Sequence, residues 1–134
     1  MKQLFTGIYS KFTTGVPTIY TNLSGRLRLH EAKQEELLPY CVYYMIGDSP
    51  DYYFGAERTF STIIQFSIFN EDRSSENCCT YFDNLTALYD ECTLTVTGYT
   101  FLRMERTWAY LLRDEVAGVW QYTIQYRVTL EKLA

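Results

Sequence analysis

Hydrophobic and polar positions alternate most cleanly near the end of the chain. In VWQYTIQYRVTLE (119–131), Trp120, Tyr122, Ile124, Tyr126, Val128 and Leu130 fall on one side. Gln121, Thr123, Gln125, Arg127 and Thr129 fall on the other. A period of two with one apolar side predicts an antiparallel strand that has a core on one face and water on the other. RTFSTIIQFSIFN (58–70) repeats the pattern, with Phe60, Thr62, Ile64, Phe66 and Ile68 sharing a face. YTFLRMERTWAYLLRD (99–114) reads as a long strand, and DEVAG (114–118) as the turn that folds it back onto 119–130. LPYCVYYMI (38–46) is a further strand, rich in aromatic and β-branched residues. RLRL (26–29) reads as a short strand, and TLTVTG (93–98) as a brief strand or loop. VPTIY (16–20) fits a short edge strand, where proline is tolerated. GDSPDYYFG (47–55) reads as a turn-rich loop carrying three aromatic residues.

Two segments carry the helical period instead. In residues 2–14, Leu4, Phe5, Ile8 and Phe12 recur at helical spacing, and Gly15 and Pro17 stop the run. In residues 75–91, Cys78, Tyr81, Phe82, Leu85, Leu88, Tyr89 and Cys92 form one stripe, with Ser74 or Ser75 placed to cap it. The order is helix, strands, helix, strands. It predicts an α+β fold: a largely antiparallel mixed sheet with two helices packed on one face. With no repeat, low-complexity tract or linker, residues 1–134 read as a single domain.

Composition narrows the function classes. Hydrophobic residues make up 47% of the chain, enough for a core and too many for a disordered segment. Tyrosine is abundant at 13 residues, which suits half-buried surface, whether the open face of a sheet or a subunit interface. The formal net charge of −4, with scattered Lys and Arg, disfavours a nucleic-acid binder. The N-terminus lacks the apolar core of a secretory signal, and no stretch is long enough to span a membrane, so a reducing cytoplasm is expected during synthesis.

Candidate chemistry is sparse. Cys78, Cys79 and Cys92 cluster in sequence, yet a helix sets Cys78 and Cys92 about 21 Å apart along its axis, too far for a disulfide. No C-x₂₋₄-C pair accompanies the lone His30, so zinc ligation is not expected. On the apolar stripe Cys78 and Cys92 read as small hydrophobes, and Cys79 as an incidental surface thiol. His30 beside Glu31 has no evident partners, and Asp48, Asp51, Glu71 and Asp72 read as solvated loop carboxylates. Nucleophile elbows, phosphate loops and metalloprotease motifs are absent. No catalytic residue, metal or cofactor is expected.

The order of segments resembles the tail-completion proteins of long-tailed bacteriophages, also called tail terminator or tail-to-head joining proteins. The resemblance covers nearly the whole chain. It rests on LFTGIYSKF, GRLRL leading to LPYCVYYMIGDSPDYYFG, IIQFSIFNED, LYDECTLTVTGYTF and LRMERTWAYLLRDEVAGVWQYTIQYRV. It implies a tail-terminator-like fold, and a virion structural protein that is not an enzyme. Subunits of that family form a ring, usually a hexamer, that caps the tail tube, stops its polymerisation and joins it to the head connector. The implied partners are other copies of the chain, a tail-tube protein and a head-connector or neck protein, with DNA only passing through the channel and no membrane. The implied location is the tail or neck of a virion, after assembly in the host cytoplasm. Within this reading, Tyr52, Tyr53 and Phe54 are candidate contact residues on the SPDYYFG loop. Arg103, Glu105, Arg106 and Arg127 are candidates for charged specificity between subunits. Two alternatives stay open: a head-closure or tail-tube protein of the same fold, and a small-molecule-binding domain with a pocket between helices and sheet.

Overall fold

A computed structural model describes residues 2–53 and 57–133, with side chains given outside 48–58. Its elements are α1 (Lys2–Thr13), α2 (Thr18–Asn22), β1 (Leu27–Leu29), β2 (Tyr40–Tyr53), β3 (Glu57–Asn70), α3 (Glu76–Tyr89), β4 (Tyr99–Asp114) and β5 (Val119–Lys132). The five strands form one mixed sheet in the order β1-β2-β3-β5-β4. β1 pairs with β2 in parallel, and every other pairing is antiparallel.

The alternation read from the sequence sets the two faces. Phe66 of β3 lies opposite Ile124 of β5, and Ile64 opposite Tyr126. All four are buried under the helices. Phe66 is the hub of this layer: its ring lies 4.9 Å from Tyr89, 5.8 Å from Tyr126 and 5.9 Å from Tyr43. Leu4, Ile8 and Phe12 of α1 join the same core. Tyr89 crosses it and donates its hydroxyl to the Ile8 carbonyl at 2.8 Å, which ties α3 to α1. Gly7 permits a close approach on the flank of α1, because a Cβ there would sit 2.7 Å from the Thr95 carbonyl oxygen. The 93–98 segment therefore runs as a loop against α1, inserting Leu94 and Val96 into the core.

Two local expectations are overturned. VPTIY is not an edge strand, because Thr18–Asn22 is the helix α2. Pro17, held at φ −61° and ψ 162°, stands before the first helical residue, where a missing N–H costs nothing. Its carbonyl accepts from Tyr20 N at 2.9 Å, and the turn buries Ile19 in the core. Among the described residues the helix layer thus has three helices rather than two.

Nor is GDSPDYYFG a loop throughout, since β2 runs on to Tyr53. The alternation of backbone groups explains how a strand carries Pro50. Cys41 N donates to Arg26 O, and Tyr43 O accepts from His30 N, each at 2.9 Å. These residues turn their polar groups away from β3, toward β1. A bulge between Met45 and Gly47 shifts the alternation by one residue, with Thr62 Oγ1 donating to the Gly47 carbonyl at 2.9 Å. Past it Asp48 and Pro50 turn outward. The missing N–H of Pro50 faces an edge where no strand pairs among the described residues, so no ladder bond is lost.

Candidate interaction surfaces

The face of the sheet away from the helices is polar at its centre. Gln125 Nε2 donates to Gln65 Oε1 at 3.0 Å, and Gln65 Nε2 donates to the Tyr44 hydroxyl and to Ser67 Oγ. Gln121 Nε2 donates to Thr123 Oγ1 at 3.3 Å. This ladder satisfies its own donors and acceptors, so Gln65 is tolerated at 8% exposure. The rim toward β4 differs. Trp108 and Tyr110 are 48% and 52% exposed, and their rings stack on each other at 5.9 Å and 11°. Leu112 continues the row. The sequence reading missed these three. Their signal was the alternation inside TWAYLL, obscured because Ala109 and Leu111 on the other face are apolar too.

The charged candidates split between two places. Arg103, Glu105 and Arg127 gather on the open face, with Glu105 directly opposite Arg127 in register and Arg103 3.4 Å from Glu105. Arg103 also forks onto Glu91 at 2.9 and 3.2 Å. That bond holds the Glu91 carboxyl below its usual range. Arg106 turns to the helix side. It lies 3.4 Å from Asp90 and 5.2 Å from the Phe82 ring centroid, while Asp90 accepts the Tyr126 hydroxyl at 2.7 Å. Arg103 and Arg106 thus anchor the end of α3 to β4. Tyr52 and Tyr53 stand in β2 rather than in a loop, and Phe54 lies outside the described residues.

All four cysteines are free. Burial pushes the Cys78 thiol up to about 12 and the Cys92 thiol up to about 11. Cys92 Sγ lies 3.7 Å from Met104 Sδ, a packing contact. Thiols so raised are poor nucleophiles at neutral pH. Asp72, read as a solvated carboxylate, instead accepts from Asn70 and Asn77, each at 2.8 Å. His30 sets the edge of its ring against Phe5 at 5.7 Å. Among the described residues, no three His, Cys, Asp or Glu side chains are grouped to hold a metal ion. No helix among them is long and apolar enough to cross a membrane.

A groove of about 730 Å³ runs between the outer flank of α1 and the β1 end of the sheet. Phe5, Tyr9, Leu29 and Tyr43 supply its apolar wall, and among the described residues Lys2 is the one ionised group that lines it. It offers shape and apolar surface without a converging set of polar groups.

No protein-family model matches the chain, and no curated protein matches it in sequence. Its fold is similar to that of a solved chain described as "Virion of native gene transfer agent (GTA) particle", with a TM-score of 0.77. The two share 10% identity, and the likeness covers 96% of this chain and 94% of that one. At that identity the likeness establishes the α+β fold and nothing finer.

Proposed function

We propose that the chain is a structural protein of a phage-type virion. It is one subunit of a ring, of six copies as in the tail terminators it resembles, that caps the tail tube, ends its growth and joins it to the head connector. The observation that supports this reading is the end-to-end likeness of fold to a chain of a virion particle. The sequence resemblance independently leads to the same class. The chain acts by contact and not by catalysis, in keeping with raised thiols and an apolar groove. Its partners are its own copies, the tube protein below and the connector above, with DNA passing through the hole. Residues 1–134 work as one domain.

A reconstruction of the particles produced by cells that express the chain from its native genome tests this. The expected result is a closed ring of its density between tail tube and head connector. Density repeated along the tube would instead make it a tube protein. Its absence from the particle would end the structural reading altogether.

A further inference from the structure

The two edges of the sheet fit each other. We infer that β4 of one copy adds to the open edge of β2 of the next, so that the sheet continues from subunit to subunit. This deepens the ring reading by naming its contact, and it rests on that reading only for closure of the ring.

Three observations carry it. The first is direction. β4 runs antiparallel to β5, β5 antiparallel to β3, and β3 antiparallel to β2. β4 is therefore antiparallel to β2, and copies placed side by side in the same orientation bring the two edges together in the antiparallel sense. The contact joins two different patches, which generates rings or filaments and not two-fold dimers.

The second is the alternation of backbone groups. On β4, the Met104 carbonyl faces away from β5, since it accepts from Glu91 N at 3.1 Å. After the bulge between Arg106 and Trp108, the residues that face outward in the same way are Ala109, Leu111 and Arg113. On β2 the outward residue beyond β1 is Met45. Met45 lies opposite buried Ile64, and Ala109 opposite buried Ile124, so both present backbone from residues on the helix side. Antiparallel partners that exchange hydrogen bonds must share a face. Had the alternation differed on one edge, the helix layers of neighbouring copies would fall on opposite sides.

The third is what each edge exposes. Natural edges are blunted with charge, proline or bulges. β4 carries charge at Arg103, Glu105 and Arg106 and again at Arg113 and Asp114, and its lower part is covered by the end of α3. Between these, Thr107–Leu112 is uncharged and shows Trp108, Tyr110 and Leu112 to solvent. On β2, Met45, which pairs only with β3 among the described residues, and the bulged Ile46 are likewise exposed. Each edge thus has one uncharged, apolar window, that of β2 set at the Met45/Gly47 bulge and bounded by the outward Asp48 and Pro50, where strand addition supplies main-chain bonds and the aromatic row supplies apolar contact. β1 occupies β2 at Cys41–Tyr43, so a neighbouring β4 enters with its C-terminal end, placing Leu112 near Ile46.

Disulfide trapping between two variants tests the pairing, in a background with Cys79→Ser and Cys92→Ala that retains its circular dichroism. Ile46→Cys and Leu112→Cys chains are oxidised separately and as a mixture. The expected product is a covalent dimer in the mixture alone. Self-linking of Leu112→Cys would indicate a two-fold contact and overturn the inference. No link in the mixture, with Tyr110→Lys still assembling, would overturn it and leave the ring reading standing. The double variant separates the two ideas: a ladder ending in one closed species supports both. A ladder without an end keeps the edge pairing and removes the closed ring.

Discussion

Gln65 and Phe66 are neighbours in β3 that meet different worlds. Phe66 touches three tyrosines under the helices, and Gln65 hydrogen-bonds across three strands on the open face. The helix side is held by volume. The open side is held at its centre by a self-satisfied polar ladder that gains little by burial, and its apolar residues stand toward the two rims, Tyr40 against Phe69 on one side and the Trp108–Tyr110 row of β4 on the other. Such a division leaves stability to one face and frees the other for contact. Phe66→Ala should break the comparison most severely, costing about 3–5 kcal/mol in chemical denaturation because no single neighbour can fill the space. A cost near 1 kcal/mol would mean that the helix layer is loosely packed.

The same contrast holds within β5. Ile124 is fully buried, so Ile124→Ala should cost about 2–5 kcal/mol. Gln125→Ala removes one donor from Gln65 but leaves a half-open site that water can reach, so it should cost about 1 kcal/mol. Equal losses from both substitutions would mean that the polar ladder contributes as much as the core.

Gly7→Ala probes the core from its rim. The added methyl would meet the Thr95 carbonyl at 2.7 Å, and backbone cannot rotate away as a side chain can. Helix propensity favours alanine by about 1 kcal/mol. The clash should exceed that gain, giving a net loss of about 1–2 kcal/mol and faster amide exchange in 93–97. A stabilised protein would show that the loop yields freely.

How much of this was legible in the sequence follows from the range of each interaction. The faces of β3 and β5 and the stripe of α3 were readable because alternation and helical spacing are local. So was the β4–β5 pairing, which needs only the 114–118 turn. Pro17 and Pro50 misled for one reason: proline's tolerance depends on which way its nitrogen points, and that is set by partners absent from the local pattern. The charged candidates show the longer-range limit. Arg103 and Arg106 find Glu91 and Asp90 at the end of a helix that precedes β4, and no spacing rule links them. The aromatic row at Trp108 and Tyr110 was hidden because both faces of TWAYLL are apolar, and only the position of β4 at the sheet edge tells which one is dry.

A smaller effect should appear with acid. Asp72 sits where β3 hands over to α3, and hydrogen bonds from Asn77 and Asn70 hold its carboxyl below the usual range. Its main-chain carbonyl also accepts the Trp120 indole at 3.0 Å. Glu36 is depressed likewise by Arg28, which closes the loop after β1. A carboxylate with a lowered folded value stabilises fully above its unfolded value, about 4, and loses that contribution as pH falls through the folded one. Melting temperature should therefore decline below about pH 4, and Asp72→Asn should flatten the decline. An unchanged slope in Asp72→Asn would leave the decline to other carboxylates.

The smallest effect on folding is expected where the open face is most apolar. Trp108 and Tyr110 stack on each other with about half of each side exposed, and neither fills a cavity. Stacked pairs are worth about 0.5–1.5 kcal/mol, and exposure places this one at the low end. Tyr110→Ser should therefore shift the stability of the isolated subunit by no more than about 0.5 kcal/mol. If the row is contact surface, the same substitution should shift the concentration at which copies associate, read by sedimentation, far more than it shifts the melting curve. The ratio of the two effects is what sharpens the comparison between faces. For Phe66→Ala the melting curve should move and association should follow only through unfolding; for Tyr110→Ser association should move while the melt stays still. A melt that falls with Tyr110→Ser as steeply as with Phe66→Ala would place the aromatic row inside the core economy of the subunit, and the separation of stability from contact would fail.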